Sequence, residues 1–437
     1  MAEIFKINDC EFECEFKLKN ADGQEVNFTK SAVKGMTIID NIFEPFESGT
    51  ISIANPYDFV ENEYFIRGDG RDTFKIMFKP KDGKKEKYEN TFCITSDDNA
   101  GYPDNRSENI KTFNLVDAKI LPFLETIPYA KTFTGKVGDI LKDIFKELLG
   151  GDKIGEWESG DFELTYIPPL NWRYIDLVYY LLRIFYAKAD DIYVKAFLQW
   201  DHSKEKFNFT LISKIFEDNK KKENLLDAFA IGDLTSEFDP SNPNNPPPDA
   251  ETGTFIGGSR AIGYSTPSHD ITNNFFVNRL IHGYDPILGE TKIKKIDIKK
   301  LKDKWKKKFV DVFSSVGGKP KPCIIFNNTV PAKFKHYRMP FQIEDSVKII
   351  EAEMNAALIF YNLQSTFVNI GDTFRQSGKF VDIYKTKKEK LKSDEKLLGR
   401  WLVTEIQHIF YADLYRNQFF CAKTYIGPTS NVSNDAE

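Results

Sequence analysis

The amino-acid sequence predicts an α+β protein that is mainly β, with two separate β-rich regions. Alternation of apolar and polar residues with a period of two, which is the signal of β-strands, dominates both ends of the chain. Helical periodicity is confined to segments between these ends. At 437 residues the chain exceeds the roughly 250–300 residues that one hydrophobic core usually serves, so we expect several domains.

The most regular strand pattern lies near the C-terminus, between Phe367 and Tyr425. Its middle run alternates between two predicted faces. One face carries Leu402, Thr404, Ile406, His408 and Phe410, and the other carries Trp401 and Val403. A tight connection at 411–414 predicts a long hairpin in which Trp401 and Phe420 are packed. Because a two-stranded ribbon is marginally stable alone, we expect other strands to complete it.

The first 118 residues carry several short runs with the same alternation, among them C-E-F-E-C-E-F-K-L and T-F-K-I-M-F-K-P. Turn signals such as Ala21-Asp22-Gly23 separate the runs. Short strands at regular spacing, broken by Gly, Asp and Pro, predict a first barrel-like β domain over 1–118.

Helical spacing appears next, within a predicted α+β insertion over 119–208. Apolar residues from Val137 to Leu149 predict a helix that ends at Gly150-Gly151. A second helix is predicted from about Arg173 to Ala187. Two strands, Ile192–Trp200 and Lys206–Ser213, should follow it, joined by a turn at 201–203.

The rest of the chain divides by composition. We expect the first part of a second β domain over 209–290, with an exposed Pro-rich loop at 239–259. A partly helical region over 291–362 follows, with amphipathic patterns after Ile298 and from Val347 to Tyr361. The second part of the β domain covers 363–427, and 428–437 form a flexible tail.

Composition narrows the function classes. The 60 Lys and Arg against 65 Asp and Glu give a net charge of −5, which is unsuited to general nucleic-acid binding. No apolar run is long enough for a transmembrane helix, and no signal peptide is recognised at the N-terminus. The odd number and wide spacing of the cysteines favour a reducing cytoplasm over a disulfide scaffold. The cysteines are Cys10, Cys14, Cys93, Cys323 and Cys421. Cys10 and Cys14 are predicted to be buried strand thiols, with a metal site as the alternative.

The histidines and acidic pairs predict no catalytic, cofactor-binding or metal site. No two histidines have the spacing of a helical zinc site. They are His202, His269, His282, His336 and His408. His408 is expected to be a packed or hydrogen-bonded strand residue. The adjacent carboxylates Asp97-Asp98 and Asp190-Asp191 should point apart. Two distant carboxylates of a glycosidase stay an open alternative.

Three other patterns have simpler structural interpretations. Arg67–Asp72, R-G-D-G-R-D, lacks the alternating oxygen ligands of a calcium loop and is predicted to be a turn. Thr134-Gly135-Lys136 lacks the other residues of a phosphate loop and is predicted to cap a helix. The lysine run from Lys292 to Lys308 predicts a solvated helix face, with an acidic partner surface as the alternative. Its outer lysines are predicted to be Lys294, Lys299, Lys302, Lys306 and Lys307.

Four segments, taken in order, resemble the trimeric baseplate hub of contractile-tailed, T-even-like bacteriophages, whose tube domains recur in type VI secretion spikes. The first is M-T-I-I-D-N-I-F-E-P-F-E-S-G-T-I-S-I-A-N-P, which is similar to the first tube-domain hairpin. The second is the Pro-Pro-x-x-Trp helix followed by I-Y-V-K-A-F-L-Q-W-D. The others are E-A-E-M-N-A-A-L-I-F-Y-N-L-Q-S-T-F-V-N-I-G-D-T-F and G-R-W-L-V-T-E-I-Q-H-I-F.

The resemblance implies two tail-tube-like β-barrel domains per chain and a homotrimer. Its partners would be a tail tube protein, a spike protein (possibly with a lysozyme domain), a tape-measure protein and neighbouring baseplate proteins. DNA would pass through the lumen of the trimer. The resemblance implies no cofactor and no enzyme activity. The protein would be located in the tail baseplate of the virion after assembly in the host cytoplasm. A β-rich protein that binds a host surface or polysaccharide, and a cell-wall glycoside hydrolase, are the alternatives.

Overall fold

The structure, a computed structural model, describes most of the chain. The described residues are 12–60, 71–80, 87–102, 105–217, 225–231, 253–255, 263–265, 278–285, 290–297, 300–301, 321–328, 343–360, 363–385, 398–411 and 414–423.

Strands of the first β region form one antiparallel sheet in the order β3-β4-β7-β6-β5-β1-β2. The strands are β1 (Phe12–Lys19), β2 (Glu25–Phe28), β3 (Val33–Asn41), β4 (Ser48–Ala54), β5 (Thr73–Pro80), β6 (Tyr88–Tyr102) and β7 (Asn105–Asp117). Alternate side chains, such as Ile38, Ile51 and Phe113, are fully buried on one face of this sheet. The period-two pattern of the sequence is therefore the pattern of burial.

The insertion combines helices with short strands. In chain order they are α1 (Leu121–Glu125), β8 (Phe133–Lys136), α2 (Val137–Leu149), β9 (Ile154–Trp157), β10 (Glu163–Tyr166), α3 (Tyr174–Ile184), β11 (Ala187–Ala189), β12 (Ile192–Val194), β13 (Ala196–Asp201), β14 (Lys206–Leu211) and α4 (Ile212–Glu217). Helix α2 has the predicted bounds. It ends because Gly150 adopts a φ of 94°, which an L-residue with a side chain rarely takes.

Four local predictions for the insertion differ from the structure. The strand predicted over Lys206–Ser213 ends at Leu211, because Ile212 begins helix α4. Lys136 is the residue before α2, but no side chain caps the helix; the Thr134 hydroxyl bonds Thr165 instead. Helix α3 ends at Ile184, three residues before the predicted Ala187, because Phe185 is already extended. The strand predicted over 192–200 is interrupted at Lys195, whose buried ammonium group donates to the Arg183 carbonyl at 2.5 Å.

The second β region contributes the remaining elements. They are β15 (Leu225–Ile231), β16 (Gly253–Phe255), β17 (Gly263–Ser265), β18 (Arg279–Asp285), β19 (Glu290–Ile296), β20 (Lys321–Asn328), α5 (Ile343–Phe360), β21 (Leu363–Ile370), β22 (Phe380–Lys385), β23 (Gly399–Tyr411) and β24 (Leu414–Lys423). Strands β19, β18 and β20 form a separate sheet, against which α5 packs. With these elements the predicted α+β, mainly β class is confirmed.

Two predictions between the β regions are corrected. The predicted loop at 239–259 contains β16, which pairs in parallel with β15; the rest of that loop lies outside the described residues. Lys294 belongs to strand β19 rather than to a helix, and it is exposed. Lys299, Lys302, Lys306 and Lys307 lie outside the described residues.

The predicted C-terminal hairpin is confirmed, and strands from both ends of the chain complete it. Strand β24 pairs with β21 on one side of the hairpin. On the other side β23 pairs antiparallel with β3, from Glu405 opposite Asn41 to Tyr411 opposite Gly35. A single 14-stranded sheet therefore runs through both β regions.

One bulge overturns the predicted faces of β23. Val403 lies opposite Cys421 and Glu405 lies opposite Phe420, so Thr404 is an extra residue in the ladder. Beyond it the alternation is reversed. Trp401, Val403 and Ile406 consequently share one core, and Leu402 points to another core beneath α5.

Trp401 is packed as predicted, and Phe420 is not a core residue. The Trp401 side chain is 0% exposed, whereas Phe420 is half-buried and its neighbour Phe419 is 0% exposed. Both residues of a strand dipeptide Phe-Phe fit a β pattern, and only the register decides which one points inward.

Trp401→Ala should lower the free energy of unfolding by about 3–5 kcal/mol, because it removes the largest side chain that is fully buried among the described residues. Phe420→Ala is the matched control and should cost clearly less, because the ring keeps part of its contact with water. Denaturant unfolding followed by circular dichroism measures both. Equal losses would show that Trp401 is not central to its core.

Candidate functional site

The loop between β3 and β4, residues 42–47, contacts every major part of the chain. Its sequence, I-F-E-P-F-E, places apolar and acidic side chains side by side. Ile42 packs in the core beneath α5, and Phe46 packs in the core of the insertion. We call this segment the junction loop.

Phe46 anchors the first β region in the insertion. Its ring lies 5.4 Å from that of Phe123 in α1 and 5.8 Å from that of Phe207 in β14. Both contacts are edge-to-face, the geometry that aromatic pairs prefer. Phe43, on the opposite side of the loop, makes the same kind of contact with Phe360 of α5, at 4.8 Å.

Glu47, the last residue of the junction loop, is a buried carboxylate with donors from two parts of the chain. Tyr88 Oη donates to it at 2.8 Å and Asn90 Nδ2 at 2.7 Å, both from β6. From the β13–β14 turn of the insertion, His202 Nε2 lies 2.7 Å from Glu47 Oε1. Because an unpaired buried carboxylate is very costly, these donors are what allow Glu47 to lie here.

The polar cluster continues on both sides of Glu47. Asn90 also donates to Asp117, at 3.0 Å, and Lys119 pairs with the same carboxylate at 2.8 Å. The Lys119 ammonium group lies 4.4 Å from the ring centre of Trp200 in the insertion. A cation over an aromatic ring adds a second electrostatic contact across the same boundary.

Strands of the second β region close the cluster. Asp40 of β3 accepts hydrogen bonds from the amide and the hydroxyl of Ser377, at 2.7 and 2.8 Å. His408 of β23 is buried, with its Nδ1 2.5 Å from Tyr415 Oη and 3.1 Å from Asn417 Nδ2. The prediction of a packed, hydrogen-bonded His408 is confirmed.

Charges in the cluster act on one another. Burial is the largest influence on the pKa of Glu47 and would raise it, but the charge and hydrogen bond of His202, together with the charge of Lys119, outweigh burial and lower that pKa to about 2. Burial, reinforced by the Glu47 charge, raises the pKa of Asp40 to about 6. Burial opposes the charge on His202, but Glu47 raises the pKa of His202 above its usual value. Burial lowers the pKa of His408 to about 4.

A groove of about 820 Å³ opens beside this cluster, between β6 and the insertion. Its three lysines already have carboxylate partners: Lys87 with Glu89, Lys119 with Asp117, and Lys153 with Glu205 at 3.2 Å. The Lys119 ammonium group lies over Trp200, the tryptophan of the groove. The groove therefore offers neither unpaired cations for an anion nor an open aromatic face for a sugar.

The other sequence candidates do not come together. Asp97 pairs with Lys111 while Asp98 points to the opposite face of β6, and Asp190-Asp191 form an exposed hairpin turn, as predicted. Within the described ranges, no cluster of three or more His, Cys, Asp or Glu side chains could hold a metal ion. None of the described helices is long and apolar enough to cross a membrane.

The cysteines and the remaining motifs are also accounted for where the structure describes them. Cys93 and Cys421 are buried thiols and Cys14 is a half-buried thiol in β1; these three form no disulfide. The side chains of Cys10 and Cys323, with His269 and His336, lie outside the described residues, as does most of the 67–72 motif. Its last residue, Asp72, is buried and accepts a hydrogen bond from the Ala21 amide at 3.0 Å.

Pairing of β3 with β23 also creates a surface, the joined face, on the side of the sheet opposite the cores. Cross-strand register aligns its side chains in rows. The two middle rows are Val368, Gln418, Gln407, Ile39 and Ser48, and Arg416, Ile409, Thr37, Thr50 and Asn114. Beside the first of these lies the row of Thr366, Phe420, Glu405 and Asn41. Beside the second lies the row of Tyr411, Gly35, Ser52, Thr112 and Asp98. These rows contain no lysine.

The outer side of β1, β2, β5 and β6 has the opposite character. Lys75 pairs with Glu15 at 3.5 Å and with Glu89 at 2.8 Å, and further Lys–Glu pairs continue this pattern along the strands. Exposed ion pairs contribute little to stability, but they keep a surface soluble. The same protein therefore presents one face laced with charge and one composed mostly of hydroxyl, amide and aliphatic side chains.

Solved structures of tail proteins and of a PdpA–VgrG complex share this fold. The 43 kDa tail protein of prophage MuSo2 from Shewanella oneidensis is 12% identical, with a TM-score of 0.50 over 94% of this chain and 98% of that chain. A tail protein from Neisseria meningitidis MC58 is 8% identical, with a TM-score of 0.50 over 94% of this chain and 99% of that chain. The lidded PdpA–VgrG complex from Francisella is 10% identical, with a TM-score of 0.50 over 97% and 54%.

At these identities the likeness is one of fold. The expected resemblance to tail hubs and secretion spikes is confirmed at that level. No family model and no curated protein sequence matches the chain.

The sequence predicts a hairpin that includes Glu47 and a turn that includes His202, but nothing in it pairs residues so far apart. The available signal is the acidic residue that ends the I-F-E-P-F-E loop, since a carboxylate beside apolar residues needs a partner.

Glu47→Ala should destabilise the protein by about 3–5 kcal/mol, because it leaves the donors on Tyr88, Asn90 and His202 buried without their acceptor. The control is Glu89→Ala, which removes exposed ion pairs and should cost about 0–1 kcal/mol. Urea denaturation measures both. A cost for Glu47→Ala as small as that of the control would mean that the cluster does not hold the junction together.

Proposed function

We propose that the protein is the structural hub of a phage tail baseplate, in which three copies surround a channel for DNA. The observation that supports this most is the single sheet that joins both β regions through β3 and β23. In a ring of β domains, a chain with two β regions side by side would contribute two of the domains. Three chains then give six domains, which would match a threefold spike to a sixfold tail tube.

The partners follow from that position. The tail tube protein would contact one side of the ring and the spike protein, possibly with a lysozyme domain, the other. Tape-measure protein and DNA would pass through the lumen, and neighbouring baseplate proteins would contact the outer region that carries Lys294. The protein would act in the virion tail after assembly in the host cytoplasm, without a cofactor.

The joined face is suited to the wall of such a channel. Affinity for DNA comes mainly from lysine and arginine side chains that neutralise phosphates. Arg416 is the one cation in the four rows of the joined face, and Glu405 and Asp98 are acidic. Glu405 is further held by Asn41 Nδ2 at 2.6 Å and Gln407 Nε2 at 2.7 Å. DNA would pass such a wall without being retained.

An enzymatic role is not part of this proposal. Glu47 is buried and already accepts three hydrogen bonds, so it is poorly placed to give a proton to a glycosidic oxygen. A zymogram on peptidoglycan tests the hydrolase alternative directly, and clearing by the purified chain would support the hydrolase against the hub. A host-surface binding protein would instead retain whole cells or polysaccharide on a column.

Light scattering of the purified chain, alone and with its spike partner, should give the mass of three copies. The sheet edges of a single chain are then covered by neighbouring copies, which removes the hazard of open strands. A chain that stays monomeric at high concentration with the spike present would contradict the hub.

Lysines introduced on the joined face should slow DNA release. Thr50→Lys combined with Gln407→Lys places two cations in the middle rows of this face, and each neutralised phosphate adds affinity for the passing DNA. Genome release from assembled particles, followed by the fluorescence of a DNA dye, measures the delay. The matched control is Thr91→Lys combined with Met77→Lys on the charged outer face. Equal release rates for the two double variants would contradict a channel wall at the joined face.

A further inference from the structure

The β13–β14 turn of the insertion contacts both β regions at once. His202 Nε2 lies 2.7 Å from Glu47 Oε1 of the first region. The His202 amide donates to Gln376 Oε1 at 3.4 Å, and Gln199, in the adjoining strand β13, donates through Nε2 to Ser377 Oγ at 3.1 Å; Gln376 and Ser377 belong to the second region. The turn therefore lies where the three parts of the chain meet. Of the groups that make these three contacts from the insertion, the His202 ring is the one that can gain or lose a proton.

Several ionisable or polar groups face His202 and Glu47. Asp40 comes from β3, Tyr88 and Asn90 from β6, His408 from β23, and Asp117 and Lys119 from the end of β7 and the turn after it. Lys119 already pairs with Asp117 at 2.8 Å. His202 is consequently the cation that directly contacts Glu47.

We propose that the Glu47–His202 contact is a protonation-controlled latch, which holds the insertion against the first β region while His202 is charged and weakens when His202 loses its proton. The loss would leave Glu47 and Asp40 as two neighbouring negative charges at the boundary. Repulsion between them then favours opening of the boundary and entry of water. This inference concerns the chain itself and does not depend on the hub.

The direction of the pH effect follows from the shifts. The pKa of His202 is raised in the closed state, so its contribution is complete below about pH 6.5 and is lost as the pH rises through the raised pKa. The pKa of Asp40 is also raised, to about 6, so its contribution is likewise lost as the pH rises toward and past that value. Both groups weaken the closed boundary as the pH rises, Asp40 mainly below about pH 6 and His202 above about pH 6.5.

Two other groups act in acid. The pKa of Glu47 is lowered to about 2, so its contribution is present above its usual pKa and is lost as the pH falls toward 2. The pKa of His408 is lowered to about 4, so its contribution disappears as the pH falls from its usual value through 4. The latch should therefore be tightest near pH 6 and loosen on the alkaline side through His202.

Hydrogen exchange of the full chain tests the latch. The protection factor, which corrects for the pH dependence of chemical exchange, is measured by mass spectrometry for the peptide covering 196–206 from pH 6 to pH 9. We expect protection of this peptide to fall by up to about tenfold per pH unit across the His202 transition. Helix α2, inside the insertion core, serves as the internal reference and should keep its protection.

His202→Gln is the decisive variant, because glutamine can donate to Glu47 but cannot take up a proton. In this variant, the protection factor of the peptide 196–206 should stay constant between pH 6.5 and pH 9 instead of falling. His282→Gln, in the separate sheet of the second region, is the matched control and should keep the wild-type profile. An unchanged alkaline fall in His202→Gln would overturn the proposal.

A second variant keeps the test decisive if His202→Gln folds poorly. Glu47→Gln retains an acceptor for His202 but removes the charge that keeps its proton bound, so the transition should move to lower pH. A transition at the same pH as in the wild type would overturn the latch.

Discussion

The structure depends on one buried carboxylate. Glu47 ends the junction loop of the first β region, yet one of its partners, His202, belongs to the insertion, and its neighbour Asp40 is held by Ser377 of the second region. Desolvation of such a charge is tolerated only where its hydrogen bonds are complete. The three parts of the chain must therefore meet in one arrangement, which makes the cluster a determinant of geometry as much as of stability.

Local sequence patterns predicted helices and strands well where the spacing of apolar residues and a nearby turn or stop signal agree. Helix α2 was predicted to the residue because its apolar spacing and Gly150 agree. The C-terminal hairpin was predicted because period-two alternation and a short connection agree. The faces of β23 were not, since Thr404 adds a residue that no alternation reveals, and Phe420 was chosen over Phe419 for the same lack of register.

Long-range pairings lay beyond the sequence for a different reason. Asn41 and Glu405 are 364 positions apart, and Glu47 and His202 are 155 apart. Each residue alone reads as an ordinary polar residue near a turn. Only the fold shows that β3 extends the C-terminal hairpin, that the rows of the joined face contain no lysine, and that acidic and imidazole groups share one site. The sequence resemblance anticipated the type of fold, but not these contacts.

The pairing of β3 with β23 also constrains the order in which the chain can fold. Phe410 and Tyr415 of the C-terminal hairpin belong to the core of the first β region, where Phe410 lies 5.6 Å from Phe16 and Tyr415 stacks on Phe78 at 4.7 Å. During synthesis from the N-terminus, that core lacks these rings until residues 410–415 have been translated. A ribosome-bound chain would therefore hold an unfinished, partly exposed β sheet until then, and a product truncated before residue 410 would lack the side chains needed to fold as a stable competitor for assembly.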